Sequence, residues 1–215
     1  MKNFALVSTC SSRKLTEMRV LVACEFSGTV RDAFIKAGHD AISCDLLPSD
    51  KPGPHIQDDV TEVMLDRWDL VVAHPPCTYL TVSGNKWMKP EYRDRFPDRP
   101  KQREEAIKFF MACYNANADH VAVENPIGIM SSTFRKPDQI VQPWMFGHPE
   151  TKATCFWLRG LPKLSPTNTV DISSNKAESQ RLFYLPPSED RWKIRSKTFQ
   201  GIADAMAAQW GLACG

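Results

Sequence analysis

Arg19-Val20-Leu21-Val22-Ala23-Cys24-Glu25-Phe26-Ser27-Gly28, continuing through Thr29 to Gly38 and Ala41-Ile42-Ser43-Cys44-Asp45, decides the fold. The run from Arg19 to Cys24 is short, apolar and rich in branched side chains, so it reads as a buried strand whose carboxyl end opens into a turn. Thr29 to Lys36 follows with Val30, Ala33, Phe34 and Ala37 at helical spacing, and Gly38 supplies the stop. A second apolar run, Ala41 to Cys44, ends at Asp45. Strand, turn, helix and strand in so short a span form a βαβ unit, which requires a parallel sheet and a right-handed crossover.

The same alternation continues downstream. After a loop containing Pro48, Pro52 and Pro54 and the acidic pair Asp58-Asp59, Asp69 to Ala73 reads as a third strand, stopped by His74-Pro75-Pro76-Cys77. Glu104 to Asn117 reads as a helix, His120 to Val123 as a strand ending at Glu124-Asn125-Pro126, and Thr154 to Leu158 as a strand. Ser131 to Pro149 is loop-like, and Ser196 is placed to cap a last helix over Lys197 to Trp210. Residues 18–215 are expected to form one domain. Residues 1–17 precede the first convincing strand and are expected to be a disordered leader.

Composition bounds the partners. The 215 residues are 42% hydrophobic, which excludes a disordered chain and a membrane bundle. Twenty-seven basic against 25 acidic residues give a net charge of +2, so affinity for a polyanion must come from a local patch. Seven cysteines without a CxxC pair argue against a disulfide framework and against a zinc knuckle, leaving reduced thiols in a cytoplasmic protein. No metal and no membrane partner are expected, and the oligomeric state is left open.

In a doubly wound sheet, ligands sit beyond the carboxyl ends of the strands. The candidates are therefore Glu25 to Gly28, Asp45, Asp58-Asp59, His74 to Cys77, and Glu124 to Pro126. Glu25-Phe26-Ser27-Gly28 has one glycine where a pyrophosphate cradle needs three, so it is either a loop for a cofactor without phosphates or a plain turn. Asp45 is placed either for a ribose diol or as a solvated acid. Cys77, held at a strand end by two prolines, points to a nucleophile, whereas Cys24, Cys44, Cys113 and Cys155 read as small core residues. Glu124 after an apolar strand reads as a carboxyl with a raised pKa that could engage a ring nitrogen.

Pro75-Pro76-Cys77 followed by Glu124-Asn125-Pro126 resembles the Pro-Pro-Cys and Glu-Asn-Val pair of DNA cytosine-5 methyltransferases. The order agrees: Glu25, Phe26, Ser27 and Gly28 stand where that family has its S-adenosylmethionine loop, Asp45 where it has the ribose acid, and Asp59 where it has the acid near the adenine amine. The stretch Phe146-Gly147-His148-Pro149-Glu150-Thr151-Lys152, with Trp157-Leu158, Gly160-Leu161-Pro162 and Phe199-Gln200-Gly201-Ile202-Ala203, is similar to small phage and prophage proteins of this kind. The resemblance implies a Rossmann-like methyltransferase fold with a mostly parallel sheet of about seven strands flanked by helices. It implies S-adenosylmethionine as cofactor, with Pro75 also touching it, DNA as partner, and a bacterial host cytoplasm. Cys77 would attack cytosine C6 while Glu124 engages N3 and the exocyclic amine, and the target base would be flipped out of the duplex.

Pro76, Asn125, Lys86, Arg93, Arg191 and Arg195 are the expected substrate contacts. Lys86 and Arg93 belong to a stretch, Asn85 to Arg103, with seven basic residues interleaved with Trp87, Tyr92 and Phe96. Arg191, Lys193, Arg195 and Lys197 alternate, so an extended segment would put them on one face. The chain departs from the family in having only about 30 residues near 160–190 for target recognition, no Gln-x-Arg-x-Arg strand, and Gly201-Ile202 where the family has Gly-Asn. Two other readings stay open: modification of a free cytosine nucleotide or another C5 transfer, and a degenerate module that binds DNA or protein without chemistry.

Overall fold

The computed structural model describes residues 17–173 and 176–213, so the proposed leader lies outside the described residues except for Glu17. In chain order the elements are β1 (Arg19–Ala23), α1 (Thr29–Lys36), β2 (Asp40–Asp45), β3 (His55–Gln57), α2 (Val60–Val63), β4 (Trp68–Ala73), α3 (Arg99–Tyr114) and β5 (Ala118–Pro126). They continue with α4 (Met130–Thr133), β6 (Gln139–Val141), β7 (Thr154–Arg159), α5 (Lys176–Ser179), α6 (Arg191–Ser196) and α7 (Gln200–Ala213).

The strands form one seven-stranded sheet in the order β3-β2-β1-β4-β5-β7-β6. The pairs β3–β2, β2–β1, β1–β4 and β4–β5 are parallel, and β7 runs antiparallel to both β5 and β6. This mostly parallel, helix-flanked sheet is the Rossmann-like arrangement anticipated from the sequence. Alternation along the strands sorts the core into two layers. Val20, Val22, Leu70, Val72 and Ala122 pack with Val30 and Phe34 of α1 and with Ile202, Met206 and Trp210 of α7. Leu21, Ala23, Val71, Ala73, Val121 and Val123 pack with Val60 of α2 and Phe110 and Cys113 of α3.

Several expectations change. The three-residue strands β3 and β6 fall in segments that read as loop, because each is an edge strand too short to carry a period. β5 runs on to Pro126 instead of ending at Val123, since β7 pairs with it through Glu124↔Phe156 and Pro126↔Thr154. Asn85 to Arg103 is not a plain loop: it holds 3-10 helices over Val82–Met88 and Pro90–Tyr92, and α3 begins at Arg99. Ser196 closes α6 and does not cap the last helix, which begins at Gln200.

The stretches around His148 and Gly201 meet in space. His148 Nε2 accepts from the Gly201 amide at 3.0 Å, and the His148 ring packs against Phe199 with centroids 5.0 Å apart. A Cβ at Gly201 would land on the backbone carbonyl of Phe146. Gly201→Ala therefore forces α7 away from this turn, and we expect a loss of about 1–3 kcal/mol in urea unfolding, with α7 still helical by circular dichroism.

Candidate active site

The order of the sheet reverses between β1 and β4, so the loops after these strands lie side by side at one end of the molecule. The first is built by its own helix. Gly28 takes a left-handed conformation, φ +68°, and a side chain there would collide with the Arg31 guanidinium. All four amides of the first turn of α1 are satisfied locally. Thr29 N donates to Ser27 Oγ, Val30 N to Glu25 Oε1 at 2.7 Å, Arg31 N to Glu25 Oε2 at 3.2 Å, and Asp32 N to the Gly28 carbonyl. Glu25, expected to contact a cofactor, is thus the cap of α1: the carboxylate relieves orphan amides at the positive end of the helix.

Behind the loop lies Arg31, a fully buried guanidinium that the sequence did not single out. It donates to the Ser43 and Ser49 hydroxyls and the Pro52 and Pro54 carbonyls, and pairs with Asp32 at 2.7 Å. Helix α1, strand β2 and the proline loop are tied by one side chain. Asp45 stands half-buried at the carboxyl end of β2, its Oδ1 accepting from Leu47 N at 2.9 Å. Asp59 is exposed and caps α2, its Oδ1 accepting from the Thr61 amide and hydroxyl, which hold its carboxyl below the usual range.

The second loop carries Cys77 and brings His74 to Glu124. Ala73 lies opposite Val123 in the parallel β4–β5 register, so His74 and Glu124 leave the two strands together. His74 Nδ1 donates to Glu124 Oε2 at 3.1 Å, and the two side chains are only 9% and 13% exposed. Asn125 Nδ2 donates to the Pro75 carbonyl at 2.8 Å and is buried. That bond cross-links the loops and makes Asn125 a strut, not the substrate contact expected. Pro75 is buried against the site, whereas Pro76 faces solvent.

The electrostatics correct one expectation. Burial alone would push the Glu124 carboxyl up, but the bond from His74 and the nearby Lys152 charge outweigh it, and the carboxyl titrates below the usual glutamate range. Glu124 is therefore a carboxylate at neutral pH, not a stored acid. Cys77, partly accessible, has its thiol raised by burial and by the Glu124 charge, against the opposing charges of Lys152 and Arg195. Cys44 and Cys155 are buried, with thiols pushed up to about 11 mainly by burial, as core residues should be. Cys113 is buried too, while Cys24 is only partly so and bonds to it.

A small pocket beside the pair is lined by Glu124, Lys152, Thr154 and Phe156 from the sheet and by Phe199, Ile202 and Met206 at the start of α7. α6 lies against the loop after β1. Trp192 packs on Phe26 with ring centroids 5.9 Å apart, and Lys197 pairs with Asp50 at 2.7 Å, so this segment covers the loop after β1. The alternation of basic residues that suggested an extended arm is a helix. Arg191 donates to the Leu185 and Phe183 carbonyls and Arg195 to that of Leu182, so these guanidinium groups brace their own loop instead of facing outward for phosphate. Lys86 lies over the Trp87 ring at 4.4 Å, and Trp87 packs edge-on with Tyr92 and Phe96, so the aromatics of this stretch hold one another; Arg93 is exposed. Lys152 is a site residue that sequence reasoning missed, and His74 stood in a candidate stretch without a role. The only signals were the place of His74 before the prolines and of Lys152 in the phage-like stretch.

Among the described residues no group of three or more His, Cys, Asp or Glu side chains could hold a metal ion, and no helix is long and apolar enough to cross a membrane. A carboxylate whose native pKa is depressed stabilises the fold above the unfolded value of about 4.3, and that contribution is lost as pH falls through the native value. His74→Ala removes the donor and moves the native titration of Glu124 upward. Its stability deficit in urea unfolding should be largest above about pH 5 and shrink toward about pH 3; a deficit independent of pH would show that His74 does not hold the carboxylate.

The sequence matches no protein-family model and no curated protein. Among solved structures the chain is similar to a candidate DNA modification methyltransferase encoded within a prophage of E. coli, at 15% identity and a TM-score of 0.45, with 80% of this chain and 56% of that chain covered. It is also similar to a triple mutant of Spodoptera frugiperda DNMT2, at 13% identity and a TM-score of 0.39, with 80% and 60% covered. The chain thus spans a little over half the length of each.

Proposed function

We propose that the protein is an S-adenosylmethionine-dependent methyltransferase that modifies cytosine C5 in DNA through a covalent adduct of Cys77. The observation that carries this reading is the side-by-side exit of Glu124 and the His74–Cys77 loop from the neighbouring strands β5 and β4, with His74 bonded to Glu124 and Asn125 bonded to Pro75 across the gap. A partly accessible thiol and a fixed carboxylate at the switch point of the sheet are what nucleophilic attack on a pyrimidine requires.

The residues at this end of the sheet fit the cofactor. A nucleoside with no pyrophosphate needs an acid for its ribose diol and an apolar wall for its base, and not the close backbone approach of a three-glycine loop. Asp45, partly open at the end of β2, and Phe26 supply these, and Ser27, Gly28 and Pro75 complete the rim. Glu25 acts one step removed by fixing the loop, and Asp59 retains a carboxylate oxygen beyond the one that caps α2. When bound, S-adenosylmethionine supplies the methyl group that C5 accepts.

The chain's own residues carry the remaining steps. Cys77 as thiolate forms a bond to C6, and the electron pair released from the C5–C6 double bond is drawn toward N3. Glu124, ionised before substrate binds, accepts from the exocyclic amine and takes up the proton that Cys77 gives up, sharing it with N3 as the thiolate bonds to C6, which makes C5 nucleophilic. Loss of the C5 proton to a base then restores the double bond and expels Cys77. Water is limited by α6, whose Trp192 lies on Phe26. DNA is the favoured substrate because Lys86 lies over Trp87 and Arg95 over Phe96 in a stretch that also carries exposed Arg93, and Phe183 and Tyr184 are each 68% exposed on the short segment before α6.

Expression in a host without cytosine methylation, followed by nucleoside mass spectrometry of its DNA, tests the reading. 5-Methylcytosine should appear with the parent chain and be absent with Cys77→Ala, and Glu124→Gln should lower turnover by about a hundredfold or more. Soluble protein that binds S-adenosylmethionine yet leaves DNA unmodified and forms no adduct with 5-fluorocytosine DNA would overturn it.

A further inference from the structure

We propose that Trp192 is a built-in competitor of the cofactor: its ring holds the surface of Phe26 that a purine would take, so α6 must lift before the adenine of S-adenosylmethionine can settle. The inference rests on the function proposed above and deepens it by giving α6 control over entry to that site. It starts from the Phe26 ring. An aromatic wall for a base needs an open face, yet Phe26 is only 7% exposed. The proline loop lies alongside it, since the Asp50 amide donates to the Phe26 carbonyl at 2.8 Å. The ring itself is covered from α6 and the residue after it. The Trp192 ring lies 5.9 Å away between centroids, tilted by 57°, and Lys197 Nζ stands 6.0 Å from the Phe26 ring centre. A purine that stacks on Phe26 must displace this cover.

The segment is built to be displaced. None of the six residues of α6 is buried, and Trp192 is 51% exposed, so the indole has no pocket of its own. The run from Pro186 to Asp190 that leads into α6 is exposed throughout. The helix is seated by Trp192 on Phe26 and by the Lys197–Asp50 ion pair at 2.7 Å, with the Lys152 Nζ bond to the Lys197 carbonyl at 3.4 Å beside them. Arg191 and Arg195 donate to the Phe183, Leu185 and Leu182 carbonyls, so they fix the shape of this segment and not its seat on the cofactor-side loop. A segment with few buried apolar contacts opens at low cost.

The indole also identifies what replaces it. Indole and purine are flat fused bicycles of similar size, so a surface that accepts the edge or face of one accepts the other. The acid suited to the attached ribose, Asp45, ends strand β2, which pairs in parallel with the β1 strand whose loop carries Phe26.

Carbodiimide coupling and ligand binding, both in the full chain, test the proposal. The reagent joins a carboxylate to an ammonium in contact with it as an amide, itself taking up the elements of water as a urea. It therefore records the Asp50–Lys197 contact and, as an internal reference, the Lys108–Glu104 pair on α3 at 2.7 Å. Saturating S-adenosylhomocysteine should reduce the Asp50–Lys197 link severalfold in peptide mass spectrometry and leave the Lys108–Glu104 link unchanged. In equilibrium dialysis, Trp192→Ala should bind S-adenosylhomocysteine roughly three- to tenfold more tightly than the parent, because the competing ring contact is gone. Trp192→Phe, which keeps an aromatic ring, should stay near the parent. Parent-like or weaker binding by Trp192→Ala would overturn the proposal and make Trp192 a plain wall of the site. So would a link that the ligand leaves intact, a result read on the parent chain alone should the variant not fold. Failure of parent and variant alike to bind would remove the proposed function together with this inference. Tighter binding by the variant of a protein that leaves DNA unmodified would keep Trp192 in this role and remove the proposed DNA methylation alone.

Discussion

The parallel pairing of β4 with β5 is the constraint on which the site depends. Parallel strands present their carboxyl ends on the same side, so Ala73 opposite Val123 delivers His74 and Glu124 to one place without any loop having to find the other. Two bonds then lock the exits, His74 to Glu124 and Asn125 to the Pro75 carbonyl. Both lie in a poorly hydrated corner, where a lost partner would leave a buried polar group unsatisfied, so the carboxylate and the start of the loop that carries Cys77 are fixed to each other before any ligand arrives. The prolines add stiffness of another kind, since Pro75 and Pro76 restrict the backbone that carries Cys77 away from the strand.

A second constraint holds the other half of the cleft. The turn after β1 must be tight, which Gly28 permits by its left-handed backbone, and it must leave no helix amide unpaired, which Glu25 and Ser27 achieve. Arg31 then fixes that turn to β2 and to the proline loop through four donated bonds, although nothing apolar in its side chain would predict a buried place. A buried guanidinium is tolerated only because its donors are matched by hydroxyls, carbonyls and one carboxylate. The outcome is a cofactor-side loop whose shape comes from polar bonding, facing a reactive loop whose shape comes from strand pairing.

The contrast explains which parts of the molecule were legible in the sequence. β1, β4 and β7 announce themselves because each carries an apolar run of four or more residues, and β2 and β5 because Ala41-Ile42 with Cys44, and Val121-Ala122-Val123, are short apolar stretches bounded by polar residues. β3 and β6 do not, since an edge strand of three residues such as His55–Gln57 or Gln139–Val141 is made by its neighbour and not by its own composition. Cys77 and Glu124 were visible because proline-bounded strand ends are local features. The role of His74 and the place of Lys152 were not, because their meaning lies in a partner 50 or 28 residues away in the chain. The basic alternation from Arg191 to Lys197 misled for the same reason. A period of two suggests a strand only where a sheet is present to receive it, and here the guanidinium groups found the carbonyls of Leu182, Phe183 and Leu185 in the preceding turn.

The placement of α6 connects these halves. Trp192 on Phe26, Lys197 on Asp50, and Lys152 on the Lys197 carbonyl form a chain of contacts from the cofactor-side loop to the wall that holds Glu124. No one of these contacts is strong: the ion pair is partly exposed, and such pairs contribute at most about 1 kcal/mol. A cover held by several weak contacts can be displaced by a ligand with modest binding energy, whereas the bonds beneath it, buried and mutually dependent, cannot. The molecule thus combines a rigid reactive floor with a roof that yields. That arrangement suits the base modification proposed above, since a base must enter and water must be kept out once it has.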